Sequence, residues 1–331
     1  MTGHHTVQRF HLAHFTGDSP KGQVWVYDCR SKEPRSAIPE NVSTENNFYS
    51  FEREDGTWDT RLEEWMSVVE SKAVPVYLEL LAGKIPPYSQ AKYDFAQYLA
   101  LAHVRTRTMR RMSAEQAGKL MQVRHYAHGQ DKALFEQSMQ SYEETIGKTF
   151  EPEVRERIRQ MLLDPSDFIL SLPKSYGFRP FLELDDLTHI FLHTHWTLAE
   201  AASGFLITSD NPVARRVAPE SVHPLLGDRG FRNKTMEVSF PLSPRMLLVL
   251  THFEPPKTHL VIDSEFVSAQ NAIRAWHCEF ELYSHLKHKH ISKLSRQYAN
   301  QRPGYKLSGY GPKNFSPIQV QRRRPKTSAR P

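Results

Sequence analysis

Gly204-Phe205-Leu206-Ile207-Thr208-Ser209-Asp210-Asn211-Pro212 is where the chain changes character. Residues 205–208 are apolar or β-branched and read as a strand. Ser-Asp-Asn-Pro then makes a strong turn, because Asp and Asn bond their own backbone and Pro fixes φ. Residues 236–240 alternate, Pro241-Leu242-Ser243-Pro244 turns, and residues 246–251 follow as a second apolar run. This pattern predicts adjacent strands on a short connection. Residues 264–276 predict a helix capped by Asp263 or Ser264, and residues 279–284 a last strand.

Upstream the period is helical. Leu62, Trp65, Met66, Val69 and Val76 recur at helical spacing until Gly83, with Pro75 expected to kink or split the run. Ser89 caps a second helix to about Met112, with Tyr93, Ala96, Leu99, Ala100 and Val104 inward. Ser113-x-x-Gln116 reads as the capping box of a third. Further helices are expected near residues 130–146, 152–163 and 185–203. Before them, Val24-Trp25-Val26-Tyr27 reads as a strand, residues 31–47 as a loop and residues 47–51 as a short strand. The fold class is therefore α+β: a largely helical middle packed against a small, mostly antiparallel sheet built from N-terminal and C-terminal strands.

The 331 residues carry 43 Lys and Arg against 37 Asp and Glu. Residues 282–331 hold twelve of those cations and no acid, leaving 31 basic against 37 acidic side chains in residues 1–281. The expected organisation is one globular domain over residues 1–295 and a basic, disordered tail over residues 296–331. Such a tail suits nucleic acid, and Arg322-Arg323-Arg324-Pro325-Lys326 is compatible with nuclear import. Two cysteines, Cys29 and Cys278, are too few for a disulfide framework and read as reduced thiols. No signal pattern or membrane-length apolar run is present, so a cytoplasmic protein is expected, or a nuclear one, with no membrane partner. The absence of a Walker A, a G-x-G-x-x-G after a strand, or a G-x-S-x-G elbow argues against nucleotide-dependent and serine-hydrolase chemistry.

Several polar groups could carry chemistry. His4-His5, His11 and His14 cluster near the N-terminus. His189 and His193 stand at i and i+4, as in a two-His metal clamp, but Ile190 replaces the Glu of H-E-x-x-H. Glu63 and Glu70 are two turns apart on the first long helix, so they share a stripe that could bind a divalent metal or pair with Arg. Arg105, Arg107, Arg110 and Arg111 suit either a helix C-terminus or a phosphate.

Together these segments resemble the domain-of-unknown-function 4238 family over roughly residues 4–285. The carriers are His4-His5 with the run to Phe15, Trp25-Val26-Tyr27-Asp28, Asn47-Phe48-Tyr49, Glu63 and Glu70, and Arg105-Thr106. Residues 205–213, Phe240-Pro241-Leu242-Ser243-Pro244 and Asn271 complete the set. Gln8 stands where the family often has Pro, and Ala102 near an expected Gln. The resemblance implies that His4, His5, Glu63, Glu70, Arg105, Ser209, Asp210 and Asn211 occupy motif positions. A mixture of His, carboxylate and Arg that packing does not require is a site expectation. The leading expectation is a hydrolase acting on a phosphate-containing substrate, in its sharpest form a metal-dependent nuclease. Glu63, Glu70, Asp210 and one or both of His4 and His5 would hold a divalent metal such as Mg or Mn or act as general acid and base, and Arg105 would stabilise the developing phosphate charge. The alternative is a non-enzymatic nucleic-acid-binding or scaffold protein with a structural polar network.

Overall fold

A computed structural model describes residues 3–17, 21–46, 48–53, 55–164, 174–223, 227–228 and 230–299. The chain forms two compact units, one from Met1–Met109 with Pro180–Pro303 and one that includes Arg110–Arg179. The helices are α1 (Arg9–Ala13), α2 (Arg61–Leu81), α3 (Gln90–Val104), α4 (Arg107–Gln130), α5 (Lys132–Ile146), α6 (Pro152–Leu163), α7 (Leu184–Leu192), α8 (Ser264–His277) and α9 (Lys289–Gln297). The strands are β1 (Gly3–His5), β2 (Val24–Asp28), β3 (Arg35–Ala37), β4 (Thr44–Asn46), β5 (Phe51–Glu52), β6 (Trp58–Asp59) and β7 (His195–Ala201). They continue with β8 (Thr208–Ser209), β9 (Ala214–Arg216), β10 (Glu237–Pro241), β11 (Met246–Thr251), β12 (His259–Ile262) and β13 (Glu281–Ser284).

The fold is α+β, and strands from the two ends of the chain do share a sheet. That sheet runs β3-β2-β13-β8, all antiparallel, with Glu281 opposite Asp28 and Tyr283 opposite Val26. A second sheet, β12-β7-β11-β10-β9, comes wholly from the later half, and only its β12–β7 pair is parallel. Both faces of β11 are covered, which suits its unbroken Leu247-Leu248-Val249-Leu250 run. Val7, Leu12, Phe15, Val24, Val26, Val42 and Tyr283 form one buried cluster and bring the N-terminal segment onto the first sheet. Burying each such side chain is worth about 1.5–3 kcal/mol before entropy is counted.

Several expectations change. Pro75 lies inside α2 without ending it. The break comes instead after Val104: Thr106 accepts the Met109 amide at 3.3 Å and starts α4, which runs on through Ser113. Ser113 caps nothing there, because its hydroxyl donates to the Tyr176 carbonyl at 3.0 Å. The helix expected over residues 185–203 stops at Leu192, and residues 195–201 become β7. Pairing on both edges with β11 and β12 overrides helical propensity there. Residues 31–47 are not a plain loop, since β3 and β4 form within them. Of the strand expected at 47–51, Asn47 lies outside the described residues and only Phe51 enters β5. Phe205 and Ile207 do not join a ladder: the Asn271 amide donates to the Phe205 carbonyl and accepts the Ile207 amide, taking a strand's place. Beyond the expected domain end at residue 295, α9 continues to Gln297, with Ile291 and Leu294 buried. The rest of the expected tail, after Ala299, lies outside the described residues.

Candidate functional site

Five of the eight motif residues meet where β1, α2 and the end of α3 come together. β1 pairs with β4, His4 opposite Glu45, which turns the His4 ring inward to full burial. Its Nδ1 accepts the Tyr49 amide at 3.0 Å, so the neutral ring carries its proton on Nε2. That Nε2 lies 2.9 Å from Glu63 Oε2 and 3.4 Å from the Ser50 hydroxyl. The ring also stacks on Tyr49, 5° from parallel. Two turns along α2, Glu70 pairs with Arg105, the residue that closes α3. Arg105 also donates to the His5 carbonyl at 2.5 Å, and its own carbonyl accepts the Tyr49 hydroxyl at 2.5 Å. The guanidinium sits 5.3 Å over the Tyr49 ring.

Burial separates the members of this cluster. His4 is inaccessible and Arg105 is 5% exposed, whereas the Glu63 and Glu70 side chains are 31% and 24% exposed. Burial pushes the Glu63 carboxyl up from its ordinary value, and Arg105 and His5 oppose the shift. Burial also lowers His5, and the positive charge of Arg105 and Arg9 adds to the effect. The arrangement is therefore a carboxylate open to solvent on one side and fixed by an imidazole N–H on the other. Such a group has the geometry of a general acid or base. Tyr49 and Ser50 were not expected here, although Tyr49 lies in the quoted Asn47-Phe48-Tyr49 block.

Ser209, Asp210 and Asn211 are engaged differently. Asp210 is fully buried, and its carboxylate accepts the amides of Glu279 at 2.8 Å, Phe280 at 2.7 Å and Glu281 at 3.1 Å. Ser209 closes a turn on the Asn211 backbone, and the Asn211 amide donates to the His277 carbonyl. These three side chains fasten the β8 turn to the strand that enters β13. Burial pushes the Asp210 carboxyl up to about 6, with the charge of Glu281 adding to the shift and the Glu279 and Phe280 amides and Arg107 opposing it.

A divalent ion on Glu63, Glu70 and Asp210 accordingly has no shared seat. Glu63 is held by His4, Glu70 by Arg105 and Asp210 by backbone amides. Among the described residues no three His, Cys, Asp or Glu side chains are arranged to hold a metal ion. The His189–His193 clamp does not form either: His193 Nδ1 donates to the His189 carbonyl at 2.7 Å, and Nε2 lies 3.3 Å from the Tyr88 hydroxyl. Neither Cys29 nor Cys278 forms a disulfide among the described residues. No helix among the described residues is long and apolar enough to cross a membrane.

A family model described as Protein of unknown function (DUF4238) matches residues 3–288. Neither the curated proteins nor the solved structures include a match to the chain.

Proposed function

The chain belongs to the DUF4238 family, and from that premise we propose that the His4–Glu63 cluster is the acid–base site of a hydrolase acting on a phosphate-containing substrate. The observation that carries this reading is Glu63. It is partly exposed, its carboxyl is pushed up by burial, and the inaccessible His4 holds Oε2. Oε1 is then left for water. In the proposed step Glu63 takes a proton from that water, and the oxygen attacks phosphorus. The bond from phosphorus to the leaving oxygen breaks, and that oxygen takes the proton from Glu63, which returns to its carboxylate form. Arg105 is committed to Glu70 and the His5 carbonyl, so it acts as a positioning residue. Arg9, 62% exposed and within electrostatic reach of His5, supplies positive charge at the rim. The cations of residues 282–331 would concentrate a polyanionic substrate such as nucleic acid.

The test is hydrolysis of bis(p-nitrophenyl) phosphate, p-nitrophenyl phosphate and a single-stranded oligonucleotide by the purified chain, with and without manganese. Turnover that falls about 100-fold or more in Glu63→Gln, a usual loss for a general base, supports the reading. Turnover no faster than buffer on all three substrates, or an undiminished Glu63→Gln, sinks it.

A second reading is a nucleic-acid-binding scaffold in which the cluster is a structural network. The near-complete burial of Arg105 and Asp210, with Arg105 bonded to Glu70 and the His5 carbonyl and Asp210 to three main-chain amides, favours it. It predicts salt-dependent nucleic-acid binding that truncation after Ser295 abolishes, with no turnover.

A further inference from the structure

A separate pocket of about 550 Å³ opens between the end of α1, the Gly204-Phe205 segment and the β10–β11 turn. It shares no residue with the His4–Glu63 cluster, and among the described residues its lining contains no Asp or Glu. Three of its hydrogen-bond donors have no acceptor among the described residues. The first is His14, whose ring stacks on Tyr77 at 4.9 Å while neither ring nitrogen is bonded to protein. The second is Ser243. Its oxygen already accepts the Arg245 and Met246 amides at 3.2 and 3.1 Å, so its own proton must point elsewhere. The third is the exposed Arg245 guanidinium, which makes no ion pair. His285 adds a second imidazole to the lining, and Phe205 packs edge-on against it with centroids 5.0 Å apart.

We infer that this pocket binds a small organic anion, with a phosphate or carboxylate held by Arg245, Ser243 and His14 and an apolar body resting on Phe205. Unmet donors around a cavity, one of them cationic, are what an oxyanion satisfies. The volume suits a ligand of drug-like size. One wall depends on close backbone approach: a Cβ on Gly17 would lie 2.6 Å from the His285 carbonyl oxygen.

The experiment is calorimetric titration of the full chain with phenyl phosphate, benzoate, inorganic phosphate and neutral benzyl alcohol. Saturable binding of phenyl phosphate or benzoate, with none for benzyl alcohol, supports the site. Their order distinguishes a phosphate from a carboxylate ligand, and inorganic phosphate alone measures the headgroup. Arg245→Gln and His14→Phe should each weaken binding by roughly tenfold, one charge-assisted contact's share. Glu63→Gln should leave it unchanged, so the pocket stands or falls apart from the proposed hydrolase. Arg245 is exposed and His14 half-buried, and an unchanged circular dichroism spectrum excludes misfolding. Absence of saturation with every anion at millimolar concentration, equal binding of benzyl alcohol, or unaltered affinity in Arg245→Gln overturns the inference.

Discussion

His4 Nε2 lies 2.9 Å from Glu63 Oε2, and the ring's other nitrogen is occupied by the Tyr49 amide. The imidazole therefore has one way to serve Glu63, as an N–H donor, and it holds a carboxylate whose proton affinity burial raises. The first prediction follows from removing that donor. In His4→Phe, Glu63 loses its fixed hydrogen bond and its carboxyl should rise further. The acid limb of any phosphate-ester activity should then shift to higher pH, whereas Glu63→Gln should remove the limb with the activity. An acid limb unchanged in His4→Phe would show that the ring does not act on Glu63.

Arg105 is the structural hub of the same cluster, and the second prediction ranks its variants. Arg105→Ala strands Glu70 and the His5 carbonyl and empties a site only 5% exposed. Losing the Arg from such a buried pair costs about 3–5 kcal/mol. Arg105→Lys should cost nearly as much, because an ammonium cannot serve Glu70 and the His5 carbonyl with a planar fork. Glu70→Gln keeps a neutral acceptor and should cost no more than about 1–2 kcal/mol. Urea unfolding checks the order; a Glu70→Gln loss equal to that of Arg105→Ala would contradict it.

The third prediction concerns acid stability. His11 is buried between the Tyr77 and Thr208 hydroxyls, and burial pushes it well below its ordinary value. Burial pushes His103 down to about 4 and His277 to about 3. A histidine depressed in the folded state contributes stability that is present above about pH 6.5 and lost as pH falls below it. Asp210, raised to about 6, runs the other way: its contribution is full below about pH 4 and lost as pH rises through 6. Between pH 6 and 4 the unfolded chain holds about three histidine protons that the folded chain lacks at these positions, and the folded chain holds about one more carboxyl proton, on Asp210. The difference gives a loss of roughly 3 kcal/mol per pH unit on acidification. Asp210→Asn removes the opposing group and should steepen that loss, although losing amide contacts lowers its stability at pH 7. Equal slopes in the wild type and Asp210→Asn would refute the balance.

How much of this could be read from sequence depends on how local each signal is. Ser89 and Asp263 cap α3 and α8 as expected, because a cap needs only the next three residues: Ser89 accepts the Lys92 amide and Asp263 the Phe266 amide. Val24-Trp25-Val26-Tyr27 forms its strand for the same reason. The switch from α7 to β7 was hidden, because residues 195–201 are strand only by virtue of β11 and β12, which lie some 50 residues away. In the site, Glu63 and Glu70 share a stripe by helical period alone, and their meeting with His4 and Arg105 was an inference from a mixture of His, carboxylate and Arg that packing does not require. Asp210 looked equally chemical in sequence. Its partners are main-chain amides 70 residues on, which no side-chain pattern encodes.

The last prediction sets two glycines against each other. Gly17 and Gly83 both hold positive φ, at 62° and 79°. A side chain in the left-handed region costs roughly 1–2 kcal/mol wherever it occurs. At Gly83 a Cβ would meet nothing within 4 Å, so Gly83→Ala should cost about that much and no more. At Gly17 the same Cβ would lie 2.6 Å from the His285 carbonyl oxygen, a backbone atom that cannot swing aside as a side-chain tip would. Gly17→Ala must move the segment after α1 away from His285, so it should destabilise by at least about 2 kcal/mol more than Gly83→Ala. Because that approach forms one wall of the pocket, Gly17→Ala should also weaken anion binding, which Gly83→Ala should leave intact. Thermal unfolding of the two variants, each titrated with phenyl phosphate, separates the outcomes. Equal losses of stability would mean that Gly17 is required for its φ alone.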